Sequence, residues 1–207
     1  MVIELIQGEG GVHPADPLFV ERAIGLCREK GVLLVIDEVQ TGFGRTCRLI
    51  ACDKFDVEPD IMCLAKGIAG GFPMGAMICR DGLEFPVGSH GSTFGGNPLA
   101  CTVANAVLEV VTREGFLDEV DAKAATFRKN LTIPVRGCGL MLGIELKERA
   151  RPYVDLLAKK GILALTAGKK VLRLLPPLTI SRDDIISVTN VLGDVIGESL
   201  VSDGSLS

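Results

Sequence analysis

The sequence predicts an α/β protein in two parts, a mostly parallel sheet with flanking helices followed by a small C-terminal α/β domain. Three observations carry this. A helical pattern from Asp16 to Gly31 lies between the apolar segments Val2–Ile6 and Val32–Ile36, which is the order strand, helix, strand. Val32–Ile36 and Ile61–Leu64 are continuously apolar rather than alternating, as parallel strands covered on both faces are. Near Val135-Arg136-Gly137-Cys138-Gly139 the composition changes, and a second set of shorter strand and helix signals begins.

In chain order, Val2–Ile6 reads as a short buried strand. Asp16-Pro17 starts a helix, with Asp as N-cap and Pro at the first helical position. Phe19, Val20, Ala23, Ile24 and Cys27 recur at helical spacing until Gly31, a C-terminal stop. Strands follow at Val32–Ile36, Ile61–Leu64 and Met74–Cys79. Pro98–Val111 reads as a long apolar helix and Phe116–Leu131 as a more charged amphipathic one. Beyond Val135–Gly139 the pattern predicts a strand at Leu140–Leu146, a helix over Arg149–Lys160, and strands at Ile162–Leu165 and Val171–Leu174. Ser181-Arg182-Asp183-Asp184 opens a last helix through about Leu200, with acids suited to its N-terminal dipole. The tail Val201–Ser207 is expected to be disordered. The expected domains are 1–112, 113–200 and the tail 201–207.

The 207 residues are 47% hydrophobic with a mean hydropathy of +0.37, enough apolar material for a core. Aromatics at 4% and a net charge of −4 argue against a nucleic-acid partner. No apolar run reaches membrane-spanning length, and no basic segment precedes a long apolar one, so a cytoplasmic protein is expected. Seven cysteines form no C-x-x-C pair, and with two histidines they indicate no metal site. Several sit in apolar contexts and read as small core residues, and the odd, scattered set fits a reducing cytoplasm.

Two strands deliver one ionisable group each to the same sheet edge. Asp37 follows Val32–Ile36, and Lys66 follows Ile61–Leu64. Ligands of open α/β sheets bind at such C-terminal ends. A strand-end acid is common on its own. A carboxylate and an amine together are what pyridoxal phosphate requires: the acid pairs with the pyridinium nitrogen and the amine forms the Schiff base. Apolar residues and glycines flank Lys66, so a solvated surface role does not explain it.

The segments Asp37-Glu38-Val39-Gln40-Thr41-Gly42-Phe43-Gly44-Arg45 and Leu64-Ala65-Lys66-Gly67-Ile68-Ala69-Gly70-Gly71 resemble the class III pyridoxal-phosphate-dependent aminotransferases, of the acetylornithine and ornithine type and of fold type I. The resemblance continues through Gln7-Gly8-Glu9-Gly10-Gly11, Gly91-Ser92-Thr93-Phe94-Gly95-Gly96-Asn97-Pro98 and Val171-Leu172-Arg173-Leu174-Leu175-Pro176-Pro177, in family order. Family members are roughly twice as long, so the match is to their C-terminal half, and residues 1–112 correspond to the latter part of the cofactor-binding large domain with the start of an interdomain helix.

The resemblance implies a role for each matching residue. Lys66 carries the cofactor and shuttles the proton, and Asp37 holds the ring nitrogen. Gln40 hydrogen-bonds the phenolic oxygen O3′. Thr93, with Ser92 beside it, reaches the cofactor phosphate of the other subunit of a homodimer whose active sites are shared. Arg173 binds the substrate α-carboxylate as a fork, and Glu9 covers Arg173 while an ω-amino group reacts. The implied reaction moves the terminal amine of N-acetylornithine to 2-oxoglutarate, giving glutamate, in arginine biosynthesis. Ornithine, 4-aminobutyrate and a lysine-biosynthesis amine remain alternatives. Glu4-Leu5 stands where the family has Glu-Pro, and Cys47 and Cys138 are further departures outside the chemistry. The absent half would carry the phosphate loop, the ring-stacking residue and the substrate side-chain contacts. A truncated polypeptide without activity of its own, serving as an oligomerising module, is therefore the rival expectation, and a generic nucleotide-binding domain the third. The third lacks any G-x-G-x-x-G or P-loop.

Overall fold

The computed structural model describes the backbone of residues 1–202 and the side chains of residues 1–197. The chain divides into two compact units, Met1–Leu5 with Ala15–Leu117, and Ile6–Pro14 with Asp118–Ser207.

The first unit is built on a four-stranded sheet. Its strands β1 (Val2–Ile3), β4 (Val35–Asp37), β5 (Ile61–Leu64) and β6 (Ala76–Cys79) lie in that order. β1, β4 and β5 are parallel, and β6 runs antiparallel to β5. Helix α1 (Pro17–Glu29) starts where Asp16 accepts the Phe19 N–H at 3.0 Å, and it buries Val20, Ile24 and Cys27 along one stripe. Val20 and Ile24 of that stripe join Leu5, Leu34, Ile36, Ala51, Cys52 and Val57 in one core cluster, with Cys52 on the short helix α2 (Cys52–Phe55). A second cluster holds Phe43, Leu64, Ile68, Ala69 and Ala104, the last on α3 (Pro98–Val111), where Asn97 caps Ala100. Of α3, Ala100, Ala104 and Val111 are buried, whereas Leu99 and Val110 are exposed.

The second unit pairs β2 (Ile6–Gln7) with β3 (His13–Pro14), and carries an antiparallel sheet ordered β7 (Val135–Cys138), β8 (Met141–Glu145), β10 (Val171–Leu174), β9 (Leu165–Ala167). Helices α4 (Phe116–Asn130), α5 (Arg151–Lys159) and α6 (Arg182–Ser202) complete the described elements. α4 starts at the end of the first unit and continues into the second. Fully buried Phe127, Leu140, Met141, Leu142, Leu157, Leu172, Ile185 and Leu192 belong to this unit.

Four expectations are corrected, three of them by hydrogen bonds that a strand ladder cannot also use. Val2–Ile6 is not one strand. Leu5 accepts from Ala15 at 2.9 Å, and Ile6 then pairs with Pro14 in the other unit. The strand expected from Val32 begins at Val35. Val32 donates to Cys27 at 2.9 Å to close α1, and Leu34 donates to the Asp60 carboxylate at 2.7 Å. Met74 and Gly75 precede β6 rather than belonging to it. Ile162 donates to Leu157 at 2.9 Å to finish α5, so β9 starts only at Leu165. Of the tail expected to be disordered, Val201 and Ser202 continue α6, and residues 203–207 lie outside the described residues.

Candidate active site

Asp37 is the last residue of β4 and stands opposite Cys63 of β5. Residues directly opposite in a ladder project to the same side of a sheet. The electrostatics agree: burial first, then the Asp37 carboxylate, push the Cys63 thiol pKa up. Asp37 is half-buried, and its Oδ1 accepts the Val39 N–H at 2.9 Å, which fixes the carboxylate just past the strand end. Lys66 stands two residues beyond the end of β5 and opens a 3-10 turn, Lys66–Ala69. Its backbone has φ 46°, a left-handed conformation that costs a lysine about 1 kcal/mol. Such strain gathers where a side chain must be aimed. Behind it, Ile68 and Ala69 are buried, and a Cβ on Gly67 would come within 3.2 Å of Phe43 Cβ. The turn is therefore seated tightly on the core while the Lys66 side chain is exposed.

The loop after Asp37 is organised by a residue that motif reading passes over. Glu38 is fully buried. Its Oε1 accepts the Cys52 N–H at 2.7 Å, and its Oε2 accepts the Thr41 hydroxyl. Its own N–H donates to Cys63 at 2.9 Å, and its carbonyl accepts from Gly42 at 2.9 Å. One carboxylate thus ties the start of the loop to its end, and Gln40 sits between those ties, half-buried. Burial, followed by the Glu38 charge, pushes the Cys52 thiol pKa up. Arg45 is also drawn into this loop, where burial lowers its pKa to about 10. The only cue to Glu38 in the sequence is its place one residue after a strand end. Its partner Cys52 lies fourteen positions away.

Ser92 and Thr93 are exposed, in the connection between β6 and α3. Gly95 donates to the Ser92 carbonyl at 3.3 Å, and the Asn97 side-chain amide donates to Phe94 at 2.9 Å. Among the described residues no hydrogen bond joins Ser92 or Thr93 to Asp37 or Lys66.

In the second unit Glu9 and Arg173 come together. Arg173 Nη1 donates to Glu9 Oε1 at 2.7 Å. The arginine, within β10, is 5% exposed, whereas the Glu9 side chain is 73% exposed. The pair thus sets a buried guanidinium, chemically suited to a carboxylate, against a carboxylate that faces solvent.

The donor set fits pyridoxal phosphate at its ring end. Asp37 offers a fixed carboxylate and Lys66 an exposed primary amine, from adjacent strands that end at the same sheet edge. Among the described residues there is no cluster of metal-ligating groups.

A family model described as aminotransferase class-III matches residues 1–196. The chain is 47% identical to the acetylornithine aminotransferase of Listeria monocytogenes serotype 4b (strain F2365), over 97% of this chain and 55% of that protein. It is 46% identical to that of Methanosarcina mazei, over 93% of this chain and 50% of that protein. Among solved structures, the N-acetylornithine aminotransferase from Stenotrophomonas maltophilia K279a superimposes with a TM-score of 0.84 at 35% identity, covering 97% of this chain and 57% of that one. An ornithine aminotransferase from Toxoplasma gondii, with PLP at partial occupancy in its active site, gives 0.83 at 36% identity, covering 96% of this chain and 51% of that one. The chain spans about half the length of the curated relatives it matches.

Proposed function

The chain belongs to the class-III aminotransferase family, and on that premise we propose that it serves a pyridoxal-phosphate-dependent transaminase moving the terminal amino group of N-acetylornithine, or a related ω-amine, to 2-oxoglutarate. Glutamate is the product, and arginine biosynthesis the setting. The observation that carries the reading is the placement of Asp37 and Lys66 at the C-terminal ends of adjacent parallel strands.

When bound, pyridoxal phosphate supplies an electron sink for the pair left behind as the substrate carbon loses its proton. Asp37 would keep the ring nitrogen protonated by offering it a negative partner. Lys66 would hold the cofactor through Nζ, then take the proton from the amine-bearing carbon and return it on the far side of the transfer. Gln40 would donate to O3′. Ser92 and Thr93 would serve the phosphate held by the other subunit of a homodimer. Arg173 would grip the α-carboxylate of glutamate or 2-oxoglutarate. With Glu9 on Arg173, that carboxylate grip is closed and an ω-amine can enter without being turned by its α-carboxylate.

Residues 1–112 are proposed as the latter part of the cofactor-binding large domain and 113–200 as the small domain, in a cytoplasmic homodimer, although Ile6–Pro14 belongs to the second compact unit and the first extends to Leu117. No helix among the described residues is long and apolar enough to cross a membrane. The rival reading, a polypeptide inactive by itself, is favoured by the 55% coverage of the relatives.

Adding pyridoxal phosphate to the purified chain and recording the visible spectrum before and after borohydride tests both readings. A cofactor band that reduction abolishes, with the cofactor mass left on Lys66 and no band in Lys66→Ala, is expected if the ring end is assembled. A chain with no such band sides with the inactive polypeptide. Turnover of N-acetylornithine with 2-oxoglutarate is the stricter measure, and little or none is expected from this chain alone.

A further inference from the structure

We propose that Arg136 is a positioning residue for Glu9: with Val12 it anchors the loop that lays Glu9 on Arg173. The proposal rests on the reading of Glu9 as a cover for the substrate-carboxylate site.

Arg136, Gly143 and Arg173 lie in one row across the sheet. Arg136 of β7 stands opposite Gly143 of β8, and Gly143 stands opposite Arg173 of β10. Their side-chain directions therefore share one face. Two arginines on one face flank a glycine, and the space above that glycine is filled from outside the sheet. A Cβ on Gly143 would come within 2.8 Å of Val12 Cβ, and one on Gly137 within 2.9 Å of Val12 Cγ1.

Val12 is fully buried and has φ 56°. A β-branched residue in the left-handed region is an outlier that only strong surroundings maintain. Those surroundings are visible. Arg136 Nε donates to the Gly11 carbonyl at 2.8 Å, and its Nη1 is paired with the Glu145 carboxylate. The guanidinium hydrogen bond is the chief determinant holding the Glu145 carboxyl below its usual range.

The loop 8–12 is thus held at one end by Arg136 and by the Val12 wedge, while its other end presents Glu9 to Arg173. Glycines at 8, 10 and 11 surround Glu9, and Gly11 has φ 124°. Glu9 can swing about these glycines while the anchored stem stays in place. Arg136 touches no substrate in this scheme. It sets where the cover closes.

The test uses the full chain labelled at the glutamate carboxyl carbons, with Arg136→Gln, Arg136→Lys, Val12→Gly and, as the uncovered reference, Arg173→Gln. In Arg136→Gln the Glu9 carboxyl resonance is expected to move most of the way to its position in Arg173→Gln. The Gly10–Val12 amides should exchange roughly tenfold faster, the scale of one charge-assisted hydrogen bond. Amides of β8 and β10 should keep their protection. Arg136→Lys should recover part of the shift, since an ammonium keeps the charge but loses the fork. Unchanged Glu9 and loop signals in Arg136→Gln overturn the proposal. Should that variant not fold, Val12→Gly decides, because glycine accepts the left-handed backbone and removes only the wedge. An unmoved Glu9 signal there overturns it equally. Glutarate affinity compared between the wild type and Glu9→Gln reads the covering role separately. Equal affinities would sink that role and leave the anchor intact.

Discussion

Removing the Glu38 carboxylate in two steps tests whether that buried acid organises the loop carrying Gln40. Glu38→Gln keeps the shape and one acceptor oxygen. The amide oxygen can still take the Cys52 N–H, now 2.7 Å from Oε1, while the new NH2 group faces the Thr41 hydroxyl. A hydroxyl can turn and accept, so both contacts survive without charge assistance, at a cost of about 1 kcal/mol. Glu38→Ala removes both acceptors. It leaves the Cys52 N–H buried without a partner, about 1–3 kcal/mol, and it loses the Thr41 contact, about 1 kcal/mol. The estimate for the alanine variant is therefore about 3 kcal/mol. Cys52 itself supplies the assay, since it is buried and its thiol reacts only when the loop opens. Pulsed alkylation at fixed pH, located by mass spectrometry, should show labelling about fivefold faster in Glu38→Gln and on the order of a hundredfold faster in Glu38→Ala, at 1.4 kcal/mol per decade. Equal rates in the two variants, or unchanged rates in both, would refute the reasoning. The buried carboxylate would then be incidental to the order of the loop.

Two further predictions concern parts of the fold away from the site. The Leu34 N–H, then Arg80, holds the Asp60 carboxyl below the usual carboxylate range against the opposing effect of burial. A depressed value means the stabilisation is complete above the unfolded value of about 3.9 and is lost as pH falls through the folded one. Asp60→Asn should therefore be less stable than the wild type at neutral pH, and urea melts of the two should converge toward pH 3. A gap that widens on acidification would contradict this. In the second unit, Leu172→Ala should cost about 2–5 kcal/mol, since the side chain is fully buried in the central sheet. Tyr153, the chain's single tyrosine, is buried in the same unit, and with no tryptophan present its fluorescence follows that unit's unfolding. A cost below about 1 kcal/mol would mean that the sheet repacks around the deletion.

Elements that declare themselves through local chemistry were legible. The Asp16-Pro17 start of α1 and the Ser181 start of α6 each use a short side chain to satisfy N–H groups within three residues. β5 has the expected bounds because its apolar run and its ladder coincide. Where the sequence misled, apolar residues were engaged elsewhere. Leu34 serves Asp60 and Ile162 serves α5, and hydrophobicity does not report which backbone group takes which partner. The site divides in the same way. Asp37 and Lys66 were visible because strand ends and their flanks are local features. The meeting of Glu9 with Arg173, 164 positions apart, followed only from the family resemblance, and the structure brings the pair within 2.7 Å. Val12 and Arg136 were not singled out. A buried valine at φ 56° and a guanidinium on the Gly11 carbonyl leave no periodic trace.

By itself the sequence determined the α/β class, the order of most elements, the family, and the residue types able to hold a pyridine ring and a carboxylate. These depend on periodicity, on capping and on motifs read within a few positions. Only the tertiary structure decided that Ile6–Pro14 leaves the first unit for the second, that Glu38 rather than an apolar side chain closes the Gln40 loop, and that a wedge above Gly143 fixes the Glu9 stem. Each of these is a choice of partner between groups distant along the chain. That choice follows from which buried polar group must be satisfied and which void must be filled once the elements have packed.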